Sequence, residues 1–208
     1  MERKHYKTII FMLVLVFIIT LGFIFARNTQ ASHKANLKEI QKNGEVTDMP
    51  NTIDTAAFAA GCFWGVEETF RQIQGVKNTT VGYMGGTTDN PTYKDVCTDG
   101  TGHAETVLIE YDPTEVSYND LLKVFWDNHN PTTLNRQGPD IGTQYRSVVF
   151  YYKDDQKSAA EKSKDELQKS GKYSRDIVTQ IIPAATFWKA EEYHQKYLQK
   201  HGLTHCDY

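Results

Sequence analysis

One cysteine, one strand-start glutamate and two tyrosine-bearing polar loops are the residues in this 208-residue chain best suited to chemistry. Cys62 lies in Gly61-Cys62-Phe63-Trp64-Gly65, between the apolar run Ala56-Ala57-Phe58-Ala59-Ala60 and the helical pattern Val66-Glu67-Glu68-Thr69-Phe70-Arg71. A thiol where a strand gives way to a helix is placed to react, because the unpaired N–H groups of the first helical turn favour the thiolate. Flanking glycines allow a tight turn and leave the sulfur accessible. The same pattern fits a buried structural cysteine, and locally both readings stay open.

Glu105 is the second candidate. Alternation over 103–111 puts His103, Glu105, Val107, Ile109 and Tyr111 on one, more apolar, face. A carboxyl partly buried there is pushed toward its protonated form and suits a general acid. An acid at a strand end that faces solvent or pairs with a cation fits the pattern equally well. His103 admits a Cys–His nucleophile reading with Cys62. Arg146 and His194 either perturb charge locally or are solvated surface groups.

The three cysteines, Cys62, Cys97 and Cys206, are odd in number and widely spaced, with no C-x-x-C. That argues against a disulfide scaffold and a zinc ribbon, and leaves room for one reactive thiol, one partner and one bystander. Together with His103 they lack ligand spacing, so no metal is expected. A net charge of −3 suggests no nucleic-acid face, and the absence of G-x-G-x-x-G and P-loop patterns leaves nucleotide chemistry without support.

The elements that must position these residues follow in order. A short buried strand over 55–60 precedes a helix whose Phe63, Val66, Phe70 and Ile73 form a core-facing stripe. Val76 to Met84 reads as a strand, 87–102 as a polar loop carrying Tyr93 and Cys97, and 103–111 as a strand. Ser117 and Asp120 resemble a capping box opening a helix to about Asn128. A loop over 130–142, a strand over 144–152, a charged helix over 154–170, a strand over 177–182 ended by Pro183 and a helix over 188–200 complete the domain. Such alternation gives helices packed on a sheet, a two-layer α/β (α+β) sandwich with a mixed or antiparallel sheet.

Residues 1–26 stand apart. Ile9 to Ala26 is uncharged and follows Arg3, Lys4 and Lys7, so it reads as an N-terminal membrane anchor, with a cleaved signal peptide as the alternative. The short basic tail favours a domain outside the cytoplasm. Residues 27–52 are polar and read as a flexible tether, which places the folded domain at 53–208.

Five stretches occur in order: Gly61-Cys62-Phe63-Trp64-Gly65, Pro91-Thr92-Tyr93-Lys94-Asp95-Val96-Cys97, Thr101-Gly102-His103-Ala104-Glu105, 131–138 from Pro131 to Gly138, and 140–147 from Asp140 to Ser147. Together they make roughly residues 53–200 resemble the A-type peptide methionine sulfoxide reductases. The resemblance implies a ferredoxin-like sandwich that reduces the S epimer of methionine sulfoxide, free or in proteins. By position it makes Cys62 the nucleophile and Glu105 the acid near the sulfoxide oxygen. Tyr93 and Tyr145 would donate hydrogen bonds to that oxygen, Asp140 would order the site, and Phe63 and Trp64 would hold the S-methyl group. It also implies that the thiol matching Cys97 is buried and structural, and that His103 has a structural hydrogen-bonding role.

The chemistry fits those residue types. Attack on a protonated or strongly hydrogen-bonded sulfoxide would leave a sulfenic acid, which condenses with a second thiol. Cys206, in a Gly-containing tail, is the candidate resolving thiol; an unpartnered terminal cysteine is the alternative, and Cys97 is a weaker contender. A thioredoxin-like protein would then reduce the disulfide, with no cofactor and a monomeric enzyme. The pattern departs at Cys97-Thr98-Asp99-Gly100, where the family commonly has Gly two residues after the cysteine, and at Asn130, where Asp is frequent. A cysteine acyl-transfer enzyme using Cys62 and His103, and a tethered binding domain with Cys62 buried, are the other classes the residues allow.

Overall fold

The computed structural model of the protein describes residues 53–204. The expected anchor, the tether and Cys206 lie outside the described residues. The chain divides into two units, Met1–Pro50 and Asn51–Tyr208, and the second is described by itself here.

The domain is built on β1 (Asp54–Ala60), α1 (Phe63–Arg71), β2 (Val76–Met84), β3 (Ala104–Tyr111), α3 (Tyr118–Asp127) and β6 (Ser147–Tyr151). Between them lie the short α2 (Tyr93–Val96) and the two-residue strands β4 (Arg136–Gln137) and β5 (Asp140–Ile141). A helix α4 (Asp154–Lys169), strands β7 (Gln180–Pro183) and β8 (Trp188–Lys189) and a terminal α5 (Tyr197–Lys200) follow. The main sheet has six strands in the order β7-β6-β1-β3-β2-β8. All its pairings are antiparallel except β6 with β7. Its central order, β6-β1-β3-β2, is that of a β-α-β-β-α-β ferredoxin-like core, as the resemblance implied.

Both faces of β1 are buried, which is why its sequence reads as an unbroken apolar run rather than an alternating one. On one face Phe58 stacks on Phe70 of α1 at 5.3 Å and on Phe125 of α3 at 5.1 Å between ring centroids. Burying such a ring contributes about 1.5–3 kcal/mol, so this triplet fastens both helices to the middle of the sheet. On the other face Ala57, Ala59, Met84, Ala104, Val148 and Phe150 are covered by Ile182 of β7 and by Ala184 and Phe187 from the chain between β7 and β8. Alternation along β3 holds: Glu105 shares the helix-bearing face with Val107, Ile109 and Tyr111.

Five expectations about elements need correction. The 87–102 loop contains α2, opened by a complete capping box between Thr92 and Asp95. The 130–142 loop contains the β4–β5 hairpin. The strand expected from 144 starts at Ser147, because Thr143–Tyr145 forms a 3-10 turn. The helix expected over 188–200 is mostly absent. Trp188 and Lys189 pair with Tyr83 and Gly82 at the sheet edge instead, and Lys196 takes a left-handed backbone with φ 52°, so only Tyr197–Lys200 is helical. Pro183 closes β7 from within rather than stopping it beforehand. Among the described residues no helix is long and apolar enough to cross a membrane.

Candidate active site

Cys62 is the N-cap of α1, half-exposed, at the end of β1. Gly61 before it has φ +101°, and a Cβ there would lie 2.8 Å from the Gln137 side chain. A side chain at 61 would thus be strained and would push away the loop that packs on the cysteine turn. That loop is stiffened by the Gln137 amide, which accepts from the Asn130 N–H at 3.0 Å and donates to the Asn130 carbonyl at 2.6 Å.

Glu105 stands beside this turn. It is 2 % exposed, and its Oε2 accepts from the Phe63 N–H at 3.0 Å. The N–H belongs to the first residue of α1, one of the helix-end donors that lack an internal partner. One hydrogen bond therefore locks the carboxyl to the residue next to Cys62. Tyr93 and Tyr145 both lie within the electrostatic reach of Glu105. Burial, first, and then a hydrogen bond with Cys97 and the negative charge of Glu105 push the Tyr93 hydroxyl up. Burial and the charges of Glu105 and Asp140 do the same for Tyr145. Both phenols hold their protons and act as donors. Asp140 sits on β5, its Oδ2 buried without a hydrogen-bond partner, and burial pushes its carboxyl up.

The aromatic wall comes from two distant segments. Phe63 is 1 % exposed and touches Trp64, Tyr83 and His194, with centroids at 6.4, 6.0 and 5.2 Å. Trp64 is half-buried, stacks on Tyr197 at 3.9 Å and donates from its indole N–H to His194 Nδ1 at 3.0 Å. His194, itself 1 % exposed, packs on Tyr93 at 4.5 Å. Accepting at Nδ1 leaves the proton on Nε2, 4.0 Å from Glu191. Burial pushes this histidine down, opposed by Glu191. Glu191 in turn accepts from the Tyr93 N–H at 2.9 Å and the Tyr83 hydroxyl at 3.0 Å.

Two carboxamide and carboxylate groups dock this C-terminal segment. Buried Glu67 of α1 accepts from the Lys196 N–H at 2.7 Å and the Thr79 hydroxyl at 3.1 Å. Gln195 binds both backbone groups of Val81, accepting at 2.9 Å and donating at 3.0 Å. The segment that carries His194 and Tyr197 is thereby held to β2.

Against this geometry the comparisons are direct. The peptide methionine sulfoxide reductase family matches residues 54–208. The chain belongs to this family. Peptide methionine sulfoxide reductase MsrA of Methanoculleus marisnigri is 60 % identical over 155 residues, 74 % of this chain and 94 % of that protein. The crystal structure of reduced Mxr1 from Saccharomyces cerevisiae superposes with a TM-score of 0.69 at 38 % identity, covering 74 % of this chain and 88 % of that one. Methionine sulfoxide reductase A of Corynebacterium diphtheriae gives 0.67 at 36 % identity, covering 77 % and 80 %. Membership makes the protein an oxidoreductase of methionine sulfoxide.

In this reductase fold Cys62, Phe63, Trp64, Glu105, Tyr93, Tyr145 and Asp140 gather on one side of the sheet's helix-bearing layer and its loops. Cys206 lies outside the described residues. Cys97 corrects the expectation of a buried structural thiol: it is exposed, at the end of α2, and hydrogen-bonded to the Tyr93 hydroxyl. His103 is structural. Its Nδ1 accepts from the Gly86 N–H at 3.0 Å and its Nε2 donates to the Thr88 carbonyl at 2.8 Å, so neither nitrogen is left to serve Cys62. Tyr197 and Glu191 escaped the sequence reading as site residues, and His194, which it left as a local charge perturber or a solvated surface group, is instead buried against Trp64 and Tyr93. The spacing Glu191-x-x-His194-x-x-Tyr197 was their only signal, and it was indistinguishable from a solvated helix face.

Proposed function

We propose that the protein reduces the S epimer of methionine sulfoxide, free or protein-bound, through a Cys62 thiolate and a Glu105 proton. The observation that carries this reading is the Phe63 N–H to Glu105 Oε2 bond of 3.0 Å, which fixes acid and nucleophile to one helix end. The N-terminus of α1 favours the thiolate, and Glu105 is held beside it where its carboxyl can pass a proton to the substrate oxygen. Tyr93 and Tyr145 donate to the sulfoxide oxygen as negative charge grows on it. Trp64, backed by Phe63, takes the S-methyl group, and Asp140 orders the Tyr145 side of the site.

The thiolate attacks the substrate sulfur while Glu105 protonates the oxygen; the transient Cys62–sulfur bond and the S–O bond then both break as the hydroxyl passes to Cys62. The products are methionine and a Cys62 sulfenic acid. Cys206 then attacks the sulfenic sulfur, water leaves, and a Cys62–Cys206 disulfide remains. A thioredoxin-like dithiol reduces that disulfide by exchange. Yeast Mxr1 has been solved in complex with Trx2, which supports this class of donor. Residues 9–26 serve as an anchor that holds the domain outside the cytoplasm, or are removed as a signal peptide; the mass of the mature N-terminus distinguishes the two.

The test is one equivalent of methionine S-sulfoxide added to reduced protein with no reductant. One equivalent of methionine, loss of two thiols and a Cys62–Cys206 disulfide are expected. No methionine, or equal reduction of the R epimer, overturns the reading. Full cycling of Cys206→Ser with a thioredoxin-like donor removes Cys206 from it.

A further inference from the structure

Asp99 lies two residues beyond the end of α2's C-cap, where the family commonly has Gly, and its backbone shows why Gly fits: φ is +64°. Asp and Asn are among the few other residues that enter this left-handed region readily. What Asp adds is a carboxylate. Its Oδ1 accepts from the Thr143 N–H at 2.6 Å and also from the Thr143 hydroxyl, across 44 residues of sequence.

The two ends of this contact are rigidly tied to the two site tyrosines. On one side, the turns after Tyr93 run straight into Asp99. Cys97 N–H donates to the Tyr93 carbonyl at 3.0 Å, Thr98 N–H to Asp95 at 3.1 Å and Asp99 N–H to Val96 at 3.1 Å. On the other side, Thr143 opens the 3-10 turn that ends at Tyr145. The Arg146 guanidinium donates to the Thr143 carbonyl at 2.9 Å, closing the same turn. The Thr143 donors, and behind them Arg146, hold the Asp99 carboxyl below its ordinary range, so it is the anion that grips the turn.

We propose that Asp99 is a positioning residue that sets the place of the Tyr145 hydroxyl by clamping its turn to the helix of Tyr93. The proposal rests on the reading of Tyr93 and Tyr145 as donors to the sulfoxide oxygen. The clamp is asymmetric. Tyr93 has independent anchors, the Thr92–Asp95 capping box and the bond from its N–H to Glu191. The Tyr145 turn runs into β6 at its far end, where Arg146 donates to the Thr143 carbonyl and to Gln180, but its start is held by Asp99 and by Gly142 N–H to the Asn135 carbonyl. Releasing Asp99 therefore loosens the start of the Tyr145 turn and leaves Tyr93 in place.

The experiment measures single-turnover methionine formation from methionine S-sulfoxide, without reductant, in paired backgrounds. In Tyr93→Phe, where Tyr145 is the remaining donor, Asp99→Gly is expected to slow the step about tenfold, the scale of one charge-assisted hydrogen bond. In Tyr145→Phe the same change is expected to alter the rate less than about twofold. Asp99→Asn, which keeps an acceptor and tolerates the backbone, recovers most of the loss. Thr143→Val, which removes the hydroxyl half from the other side, reproduces the pattern with smaller size should Asp99→Gly fold poorly. Equal slowing in both backgrounds, or no slowing in the Tyr93→Phe background, overturns the clamp while the site reading stands. A Tyr93→Phe/Tyr145→Phe protein as fast as the parent overturns the site reading, and the clamp with it.

Discussion

The two halves of the site are held by different means. Cys62 caps α1, which the Phe58–Phe70 stack fastens to β1, and Glu105 sits on β3, tied to α1 by a buried hydrogen bond. Tyr93 and Tyr145 sit on a four-residue helix and a three-residue turn, held mainly by polar side chains at the surface. The proposed nucleophile and acid therefore inherit the rigidity of the core, where apolar burial sets their spacing. The two tyrosines proposed to face the oxygen depend on individual hydrogen bonds, each worth about 0.5–1.5 kcal/mol net. Damage to the first half should appear as lost chemistry. Damage to the second should appear as graded loss, and damage to the supports of either as lost stability.

The sharpest break is Glu105→Gln. The amide still accepts from Phe63 N–H, so the fold should be kept while the proton donor is lost. Single-turnover methionine formation is expected to fall roughly 100-fold or more, with thermal unfolding nearly unchanged. A rate within fivefold of the parent would place the proton elsewhere. Next comes Tyr93→Phe/Tyr145→Phe, expected to slow the same step about 100-fold, whereas either single change slows it less than about tenfold because the second donor remains. Multiplicative single losses would show that the two hydroxyls do not share one oxygen.

The third prediction concerns a support. His129 donates from Nδ1 to the Phe125 carbonyl and accepts at Nε2 from Ser147, joining α3 to the start of β6. Burial pushes it down from 6.5 to about 4. Below pH 6.5 the unfolded chain takes up a proton that the folded protein refuses until about pH 4. Stability present above 6.5 should thus fall by about 3 kcal/mol as pH drops to 4, then level off. Denaturant unfolding across that range checks it, and His129→Gln should remove most of the slope.

The smallest effect is Gln195→Ala. It leaves the buried Val81 N–H and carbonyl without the amide that binds them, and is expected to lower stability by about 1–3 kcal/mol. Hydrogen exchange should rise at Val81 and along 190–200. Unchanged exchange there would mean that Glu67 alone docks the segment.

Sequence patterning located the rigid half well. The apolar run before Cys62, the stripe along α1 and the alternation that turned Glu105 inward are all local signals of burial, and burial is what positions these residues. The Ser117–Asp120 cap was legible for the same reason, since both partners lie within one turn. The loop half was harder. Thr92–Asp95 carries the same cap signature, yet four helical residues give too short a period to stand out from a loop. Over 188–200 the helical pattern was overridden by pairing of Trp188 and Lys189 with β2 and by the bond of Lys196 N–H to Glu67, more than a hundred residues away. The places of His194 and Tyr197 follow from that docking, so no local pattern could have shown them.

The Gln195 amide on Val81 has a further consequence, for behaviour in crowded solution. An open sheet rim is a template on which another chain can add a strand. Here the β2 rim is met by two residues of β8, then by the Ala190 N–H on the Val81 carbonyl, and then by a side chain that imitates a neighbouring strand. The opposite rim is a four-residue strand that ends in proline. The fold thus pairs or covers the β2 rim from Val81 to Tyr83 and keeps the opposite rim short.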